Sequence, residues 1–130
     1  MLYNMNMSYR SPQTLRLLDF VKDNYDTNPE FLWARTPDCA VLRNMSSRRW
    51  YGIIMVIPAS KLGIDSDKLI EVVNVRFNRG EALEIAGNVA GIYPAWHMNK
   101  KNWITIILDN TLSDEQLFGL IDQSFVLSAK

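Results

Sequence analysis

The segment "LIEVVNVRF" alternates apolar and polar residues with the period of two that marks a half-buried strand. Val73, Val75 and Phe77 share one face of this strand. Asn74 and Arg76 point to the other face. A strand of this kind belongs in a sheet that packs one face on a core and leaves the other face accessible. The segment therefore favours a fold in which other elements pack on one face of a sheet and leave the other face accessible.

Four further segments are predicted as strands of the same sheet. The segments "CAVLR" and "RWYGIIMVIP" flank the polar loop "NMSS", and their β-branched and aromatic residues favour strands. The run "GIYPAWHMNKKNWITIILD" predicts two strands around a tight turn at Asn99 and Lys100. In the second of these strands, Trp103 and Thr105 fall on the open face with Asn74, provided that the registers match.

Helices are predicted at three places. In "SPQTLRLLDFVKDNY" Ser11 can cap a helix and Pro12 suits its first position. A short helix is predicted over residues 81–85. In "LSDEQLFGLIDQSFVLS" Ser113 and Gln116 have the spacing of a capping box. The order α-β-β-β-α-β-β-α predicts a two-layer α+β fold, with an antiparallel sheet and the helices on one face.

Length and composition predict one domain over residues 1–130, with a loose tail at residues 1–9. Cys39 is the single cysteine, and no Cys/His cluster can close a zinc site, so we expect no metal. The glycine spacing of "AGNVAG" does not fit a dinucleotide-binding loop, so we expect no cofactor. The N-terminus lacks a signal-peptide pattern, and no apolar run approaches the ~18 residues of a membrane span, which predicts a cytoplasmic protein.

The charges are unevenly distributed although the formal net charge is zero. Two blocks of the chain are basic, and residues from 102 onward are mainly acidic. The basic residues of the two blocks are Arg35, Arg43, Arg48 and Arg49, then Arg76, Arg79, Lys100 and Lys101. If the two blocks meet in space, a neutral protein presents a basic face. Scattered surface charge is the alternative.

The two hairpins predict a pair of basic wings that bind double-stranded DNA. Each tip combines cations with an aromatic residue, and such residues supply phosphate contacts and stacking. The candidate DNA-binding residues are Arg43, Arg48, Arg49, Arg76, His97, Asn99, Lys100, Lys101 and Trp103. Solvated lysines at an ordinary hairpin tip are the structural alternative for Lys100 and Lys101. A second functional hypothesis is a protein-interaction module, in which the open face around Trp103 docks a peptide or another copy of the domain.

His97 is the only histidine and the residue with which a catalytic hypothesis would begin. No serine elbow, carboxylate pair or phosphate loop accompanies it in the sequence. An enzyme would require a concave pocket with a carboxylate or hydroxyl beside the imidazole. The sequence therefore predicts a non-catalytic protein.

The segment "HMNKKNWITIILDNTLSDEQLFGLIDQSF" resembles the C-terminal signature of the MmcQ/YjbR family. The upstream segments "LWARTPDCAVLR", "RRWYGIIMVIPASKLGID" and "VVNVRF" are also similar to longer members of that family. The resemblance covers about residues 32–127. It implies a YjbR/CyaY-like two-layer fold and DNA binding through a double wing. It places His97, Asn99, Lys100 and Trp103 in the signature, and the chain departs from it at Asn102, where histidine is common.

Overall fold

The computed structural model describes residues 10–130, and the tail predicted at residues 1–9 lies outside them. The predicted order of three helices and five strands is confirmed. The elements are α1 (Pro12–Tyr25), β1 (Ala40–Arg43), β2 (Trp50–Pro58), β3 (Leu69–Arg76), α2 (Ala82–Ile85), β4 (Ile92–Pro94), β5 (Trp103–Ile107) and α3 (Asp114–Ser128). A short 3-10 turn at Ala59–Leu62 follows β2.

The five strands form one antiparallel sheet in the order β1-β2-β3-β5-β4. The registers pair Gly52 with Val75, and Arg76 with Trp103. Because neighbouring strands run in opposite directions, the β1–β2 connection, the exit of β3 and the entry of β5 all lie at one end of the sheet. We call this the loop end, formed by residues 44–49, 77–80 and 95–102. The far end holds the β2–β3 connection at residues 59–68.

Both long helices begin at the predicted caps. The Ser11 side chain accepts a hydrogen bond from the Thr14 N–H at 3.0 Å, and Pro12 opens α1. Ser113 and Gln116 form the complete capping box of α3. These bonds satisfy N–H groups that a helix leaves unpaired at its start. Short-range chemistry therefore sets where each helix begins.

The helices pack on one face of the sheet, as predicted. The core between them is apolar and fully enclosed, and includes Leu17, Val21, Ile54, Val73, Ile104, Ile106, Leu117 and Ile121. Tyr51 joins this core at an irregularity in the β1–β2 register and donates its hydroxyl hydrogen bond to Thr27 Oγ1 at 2.6 Å. The buried apolar faces of α1 and α3 are therefore the faces that contact the sheet.

α1 and α3 lie side by side and run parallel. At their first turns, Gln13 Nε2 donates to the Leu112 carbonyl at 2.9 Å. Further along, the Phe20 and Phe118 rings stack with centroids 4.2 Å apart. The Tyr25 and Phe125 rings stack 4.0 Å apart near the other ends of the helices. The contacts follow both helices in the same direction, so both C-termini point to the loop end.

The second face of the sheet carries Asn74, Arg76, Trp103 and Thr105, as the alternation predicted. This face is closed at its centre, because Asn74 and Thr105 are 0% exposed. Asn74 Nδ2 donates to the Trp96 carbonyl at 2.9 Å, and the Trp96 N–H donates to Thr105 Oγ1 at 2.9 Å. The Thr105 hydroxyl donates to Asn74 Oδ1, which completes the network. Residues 95–102 are thereby held against the sheet.

A turn forms at the predicted place, over Asn99–Asn102, but the two predicted strands do not extend to it. Pro94 pairs with Ile104, so the strands stop well before the tip and residues 95–102 form a longer connection. The physical reason is the bond from Trp96 to Thr105, which draws the chain over the sheet instead of along its neighbour. The turn begins at Asn99, whose carbonyl accepts hydrogen bonds from the Asn102 and Trp103 N–H groups.

Candidate nucleic-acid interface

The first tip, residues 44–49, is two residues longer than the predicted "NMSS" loop and is fixed by Asn44. The Asn44 Oδ1 atom accepts from the Ser46 and Ser47 N–H groups at 3.0 and 3.3 Å. Its Nδ2 atom donates to Ser128 Oγ at 3.0 Å, which ties the tip to the last turn of α3. Arg48 follows with a φ of 71°, in the left-handed region. The backbone of this tip is therefore set by side-chain contacts.

The second tip, residues 95–102, is fixed in a similar way by Asn99. The Asn99 Oδ1 atom accepts from the Lys101 N–H at 2.8 Å, while the Asn99 carbonyl closes the turn. Lys100 and Lys101 are exposed at the end of this turn. The structure therefore assigns Asn99 the role of shaping the tip that presents the two lysines.

Arg76 lies between the two tips. Its Nε atom donates to the Trp50 carbonyl at 2.6 Å, and its guanidinium lies over the Trp103 ring at 4.7 Å from the centroid. Burial, and then the charge of Arg49, lower the pKa of Arg76. The two predicted basic blocks therefore do meet in space, because Arg76 contacts the start of β2 on one side and the start of β5 on the other.

Two of the predicted DNA-contacting side chains have structural roles instead. Arg43 donates through Nε to Glu30 Oε2 at 2.9 Å and through Nη1 to the Arg48 carbonyl at 2.9 Å, so its charge is neutralised within the fold. Trp103 is 6% exposed because Arg76 covers its ring, so it offers no face for stacking on a base. Neither burial nor ion pairing is visible in the local sequence pattern around these residues.

Five exposed cations without an acidic partner in residues 10–130 lie at the loop end, whereas Arg35, Lys61 and Lys68 are exposed elsewhere. Each tip contributes two, and the exit of β3 contributes one that the sequence-based list omitted. They are Arg48, Arg49, Arg79, Lys100 and Lys101. The sequence could have indicated Arg79, because it lies in "NRG" directly after β3, and β3 ends beside both tips. The nearby carboxylate of Glu81 accepts from Asn78 Nδ2 at 2.9 Å.

His97 is exposed beside the second tip and has a φ of 63°. Its ring lies against Trp96, with centroids 3.8 Å apart and an interplanar angle of 62°. It does not line the cavities that Glu71, Met55 and Arg76 line. The contact with Trp96 is therefore the interaction that the structure shows for this ring.

From Arg10 to Lys130, no group of three or more His, Cys, Asp or Glu side chains is arranged to hold a metal ion. In that part of the chain, no helix has both the length and the apolar character needed to cross a membrane. Cys39 is free and half-buried, and burial raises the pKa of its thiol.

The fold and the loop end define a small α+β domain with a five-stranded antiparallel sheet and two basic tips at one end. The YjbR family model matches residues 23–127. The chain belongs to the YjbR family, which confirms the resemblance drawn from the sequence signature.

Individual relatives agree with this assignment. The chain is 37% identical over 108 residues to the uncharacterized protein YyaQ of Bacillus subtilis, covering 83% of this chain and 91% of YyaQ. A crystal structure of a Pseudomonas syringae protein is 36% identical, with a TM-score of 0.83, and covers 92% of this chain and 99% of that one. Protein DR2400 of Deinococcus radiodurans is 22% identical with a TM-score of 0.62, covering 86% and 78%, and shares the fold.

Proposed function

We propose that this protein binds double-stranded DNA through the loop end, without catalysis. The observation that carries the proposal is the gathering of Arg48, Arg49, Arg79, Lys100 and Lys101, all exposed and without acidic partners in residues 10–130. A cluster of unpaired cations repels itself, and phosphate anions relieve that repulsion. Binding to phosphates also releases counterions from DNA, which supplies most of the sequence-independent affinity.

The spacing of the two tips suits a duplex. β3 lies between β2 and β5, so the strands that follow the two tips begin two strand spacings apart, or about 10 Å. The major groove of B-DNA is about 12 Å wide, a comparable distance. Cations at the two tips can therefore contact phosphates on both sides of a groove while Arg79 lies between them.

The preformed backbone of both tips also supports this function. Asn44 and Asn99 fix the turns, and Asn44 further anchors the first tip to α3. A loop that is already ordered loses less conformational entropy when it binds. The role of these asparagines in binding is therefore to hold the cations in place. Direct contact with phosphate belongs to the exposed lysines and arginines.

The test is the salt dependence of duplex binding, measured by fluorescence anisotropy with a labelled DNA duplex. The logarithm of the binding constant should fall linearly with the logarithm of salt concentration. Replacing both lysines in a Lys100→Ala, Lys101→Ala variant should flatten the slope by up to ~2, because each phosphate contact contributes about 0.9.

A matched control removes two exposed lysines from the far end, Lys61 and Lys68. The Lys61→Ala, Lys68→Ala variant has the same net charge as the test variant and should keep the wild-type slope. Equal slopes for the two double variants would overturn the proposed interface. Absence of binding by the wild-type protein at low salt would overturn DNA binding itself.

The protein-interaction hypothesis depended on an exposed apolar surface around Trp103. The structure buries Trp103 under Arg76, so this residue does not provide such a surface. The cations of the loop end favour DNA as the partner, and we propose DNA ahead of a peptide or a second copy of the domain.

A further inference from the structure

A small cleft opens at the loop end between the two tips. It has a volume of about 220 Å³ and is lined by Arg76, Phe77, Asn78, Arg79, Asn102 and Leu127. Two of these side chains are cationic, two are amides and none is a carboxylate. Clefts for drug-sized ligands usually measure roughly 300–1,000 Å³. The size and lining of this cleft suit one small anionic group.

The Arg76 guanidinium is held in place on the wall of this cleft. Trp103 supports it from below, and the bond from Nε to the Trp50 carbonyl fixes its rotation. Its two Nη atoms make no hydrogen bond within residues 10–130. Because every buried side-chain nitrogen in that range has a hydrogen-bond partner, these two atoms must be accessible to solvent. Arg76 therefore presents a fixed pair of unused donors to solvent, the geometry with which arginine binds phosphate through two bonds.

The remaining lining residues are compatible with an anion. Arg79 is exposed and has no acidic partner among the described residues. The backbone carbonyl of Asn102 accepts from the Phe77 N–H at 2.7 Å, which holds the second tip against the exit of β3. The Asn102 side chain makes no hydrogen bond within residues 10–130, so its amide nitrogen can donate to a ligand in the cleft that it lines.

We infer that this cleft seats a single phosphate group of the DNA backbone, bound by both Nη atoms of Arg76 and assisted by Arg79 and Asn102. The inference rests on the proposed function and deepens it. The lysines and arginines of the tips contact phosphates as single charges, whereas the cleft fixes one phosphate in a defined position. The cleft thus sets how the duplex is oriented between the two tips.

The decisive variant is Asn102→Asp, which places a carboxylate at the rim and leaves the Arg76 contacts with Trp50 and Trp103 in place. It should weaken duplex binding by roughly tenfold or more, the effect expected from loss of a two-bond arginine contact. The control is Ser60→Asp, which adds the same charge at the exposed far end and should weaken binding less than twofold. Equal weakening by the two variants would overturn the inference.

Arg76→Lys separates geometry from charge. Lysine keeps the positive charge but lacks the planar pair of donors, so affinity should fall by roughly tenfold while the salt slope stays at the wild-type value. Near-UV circular dichroism checks that the variant is folded. A loss of slope equal to that of Lys100→Ala, with no further loss of affinity, would contradict a two-bond contact.

Titration with inorganic phosphate, followed by NMR, tests the cleft apart from DNA binding. The Arg76 Nε–H and Trp103 indole signals of the wild-type protein should shift in a saturable way, and those of Asn102→Asp should not. If the wild-type protein binds no duplex, the proposed function fails, and a saturable shift still supports an anion-binding cleft. No shift in the wild-type protein would overturn the cleft whether or not DNA binds.

Discussion

The two ends of the sheet use arginine in opposite ways. At the far end, Arg10 is 7% exposed and its Nη1 atom lies 3.2 Å from Glu71 Oε2. The same carboxylate accepts hydrogen bonds from the Ser11 N–H and the Thr14 hydroxyl. At the loop end, Arg48 is exposed and has no acidic partner among residues 10–130.

This difference separates stability from recognition. A buried arginine needs a carboxylate, because an unpaired buried charge is strongly destabilising. An exposed arginine without a partner contributes little to the fold but keeps its charge free for a ligand. Arg43 and Arg76 stand between these cases. Both lie at the loop end, yet one is paired with Glu30 and the other is fixed on Trp103.

The largest effect on stability should come from removing the Arg10–Glu71 ion pair at the far end. Glu71→Ala leaves Arg10 buried without its partner and should lower the free energy of unfolding by about 3 kcal/mol or more. Urea denaturation measures this loss. The folded variant should keep the wild-type salt slope for DNA, since Glu71 lies away from the tips.

Glu84→Ala is the matched control, because Glu84 is exposed and should change stability by less than about 0.5 kcal/mol. A similar small change for Glu71→Ala would mean that the far end does not depend on its ion pair.

The second effect concerns the support of the second tip. Thr105→Val preserves shape but removes the acceptor for the Trp96 N–H and the donor to Asn74. Unsatisfied buried groups should cost about 2 kcal/mol. Hydrogen exchange of the amides of residues 95–102 should also become faster, as NMR can detect. Unchanged exchange would show that this network does not hold the tip.

A smaller effect is expected for Arg43→Met. The variant keeps an aliphatic side chain but loses the ion pair with Glu30, which should lower the free energy of unfolding only slightly. Its salt slope for DNA should equal that of the wild-type protein, whereas Arg49→Met should flatten the slope by about 1. A flatter slope for Arg43→Met would show that Arg43 does contact DNA.

The smallest effect at neutral pH is expected for the titration of Tyr51. Burial raises the pKa of Tyr51 to about 12, above the value of about 10 for an exposed tyrosine. Its contribution to stability is therefore fully present below pH ~10 and is lost as the pH rises toward 12. Urea denaturation at pH 9 and pH 11 should show a smaller decrease for Tyr51→Phe than for the wild-type protein. Equal decreases would contradict a buried, protonated Tyr51.

The elements of the fold were predictable because their signals are local. The capping box from Ser113 to Gln116 spans one helical turn, and the alternation in β3 follows directly from strand geometry. The meeting of the two basic blocks was a conditional prediction. It became definite only with the antiparallel order of β2, β3 and β5.

The roles of individual site residues were less predictable because they depend on distant partners. Arg43 is 13 residues from Glu30 in the sequence, and Arg10 is 61 residues from Glu71. The burial of Trp103 follows from Arg76 on the neighbouring strand. No local pattern distinguishes an arginine with such a partner from one without. For this reason the sequence predicts Arg43 as a DNA-contacting residue and does not predict Arg79.

The parallel packing of α1 and α3 also affects the electrostatics of the loop end. Both helices turn their C-terminal carbonyl groups toward it, and Leu127 in the last turn of α3 lines the same cleft as Arg76. Each helix end is equivalent to roughly half a negative elementary charge. Unlike a carboxylate, a carbonyl dipole does not titrate and cannot swing out to pair with a cation. The negative ends of the two helix dipoles therefore partly offset the repulsion among the cations of the loop end. Each cation still remains available to bind a phosphate.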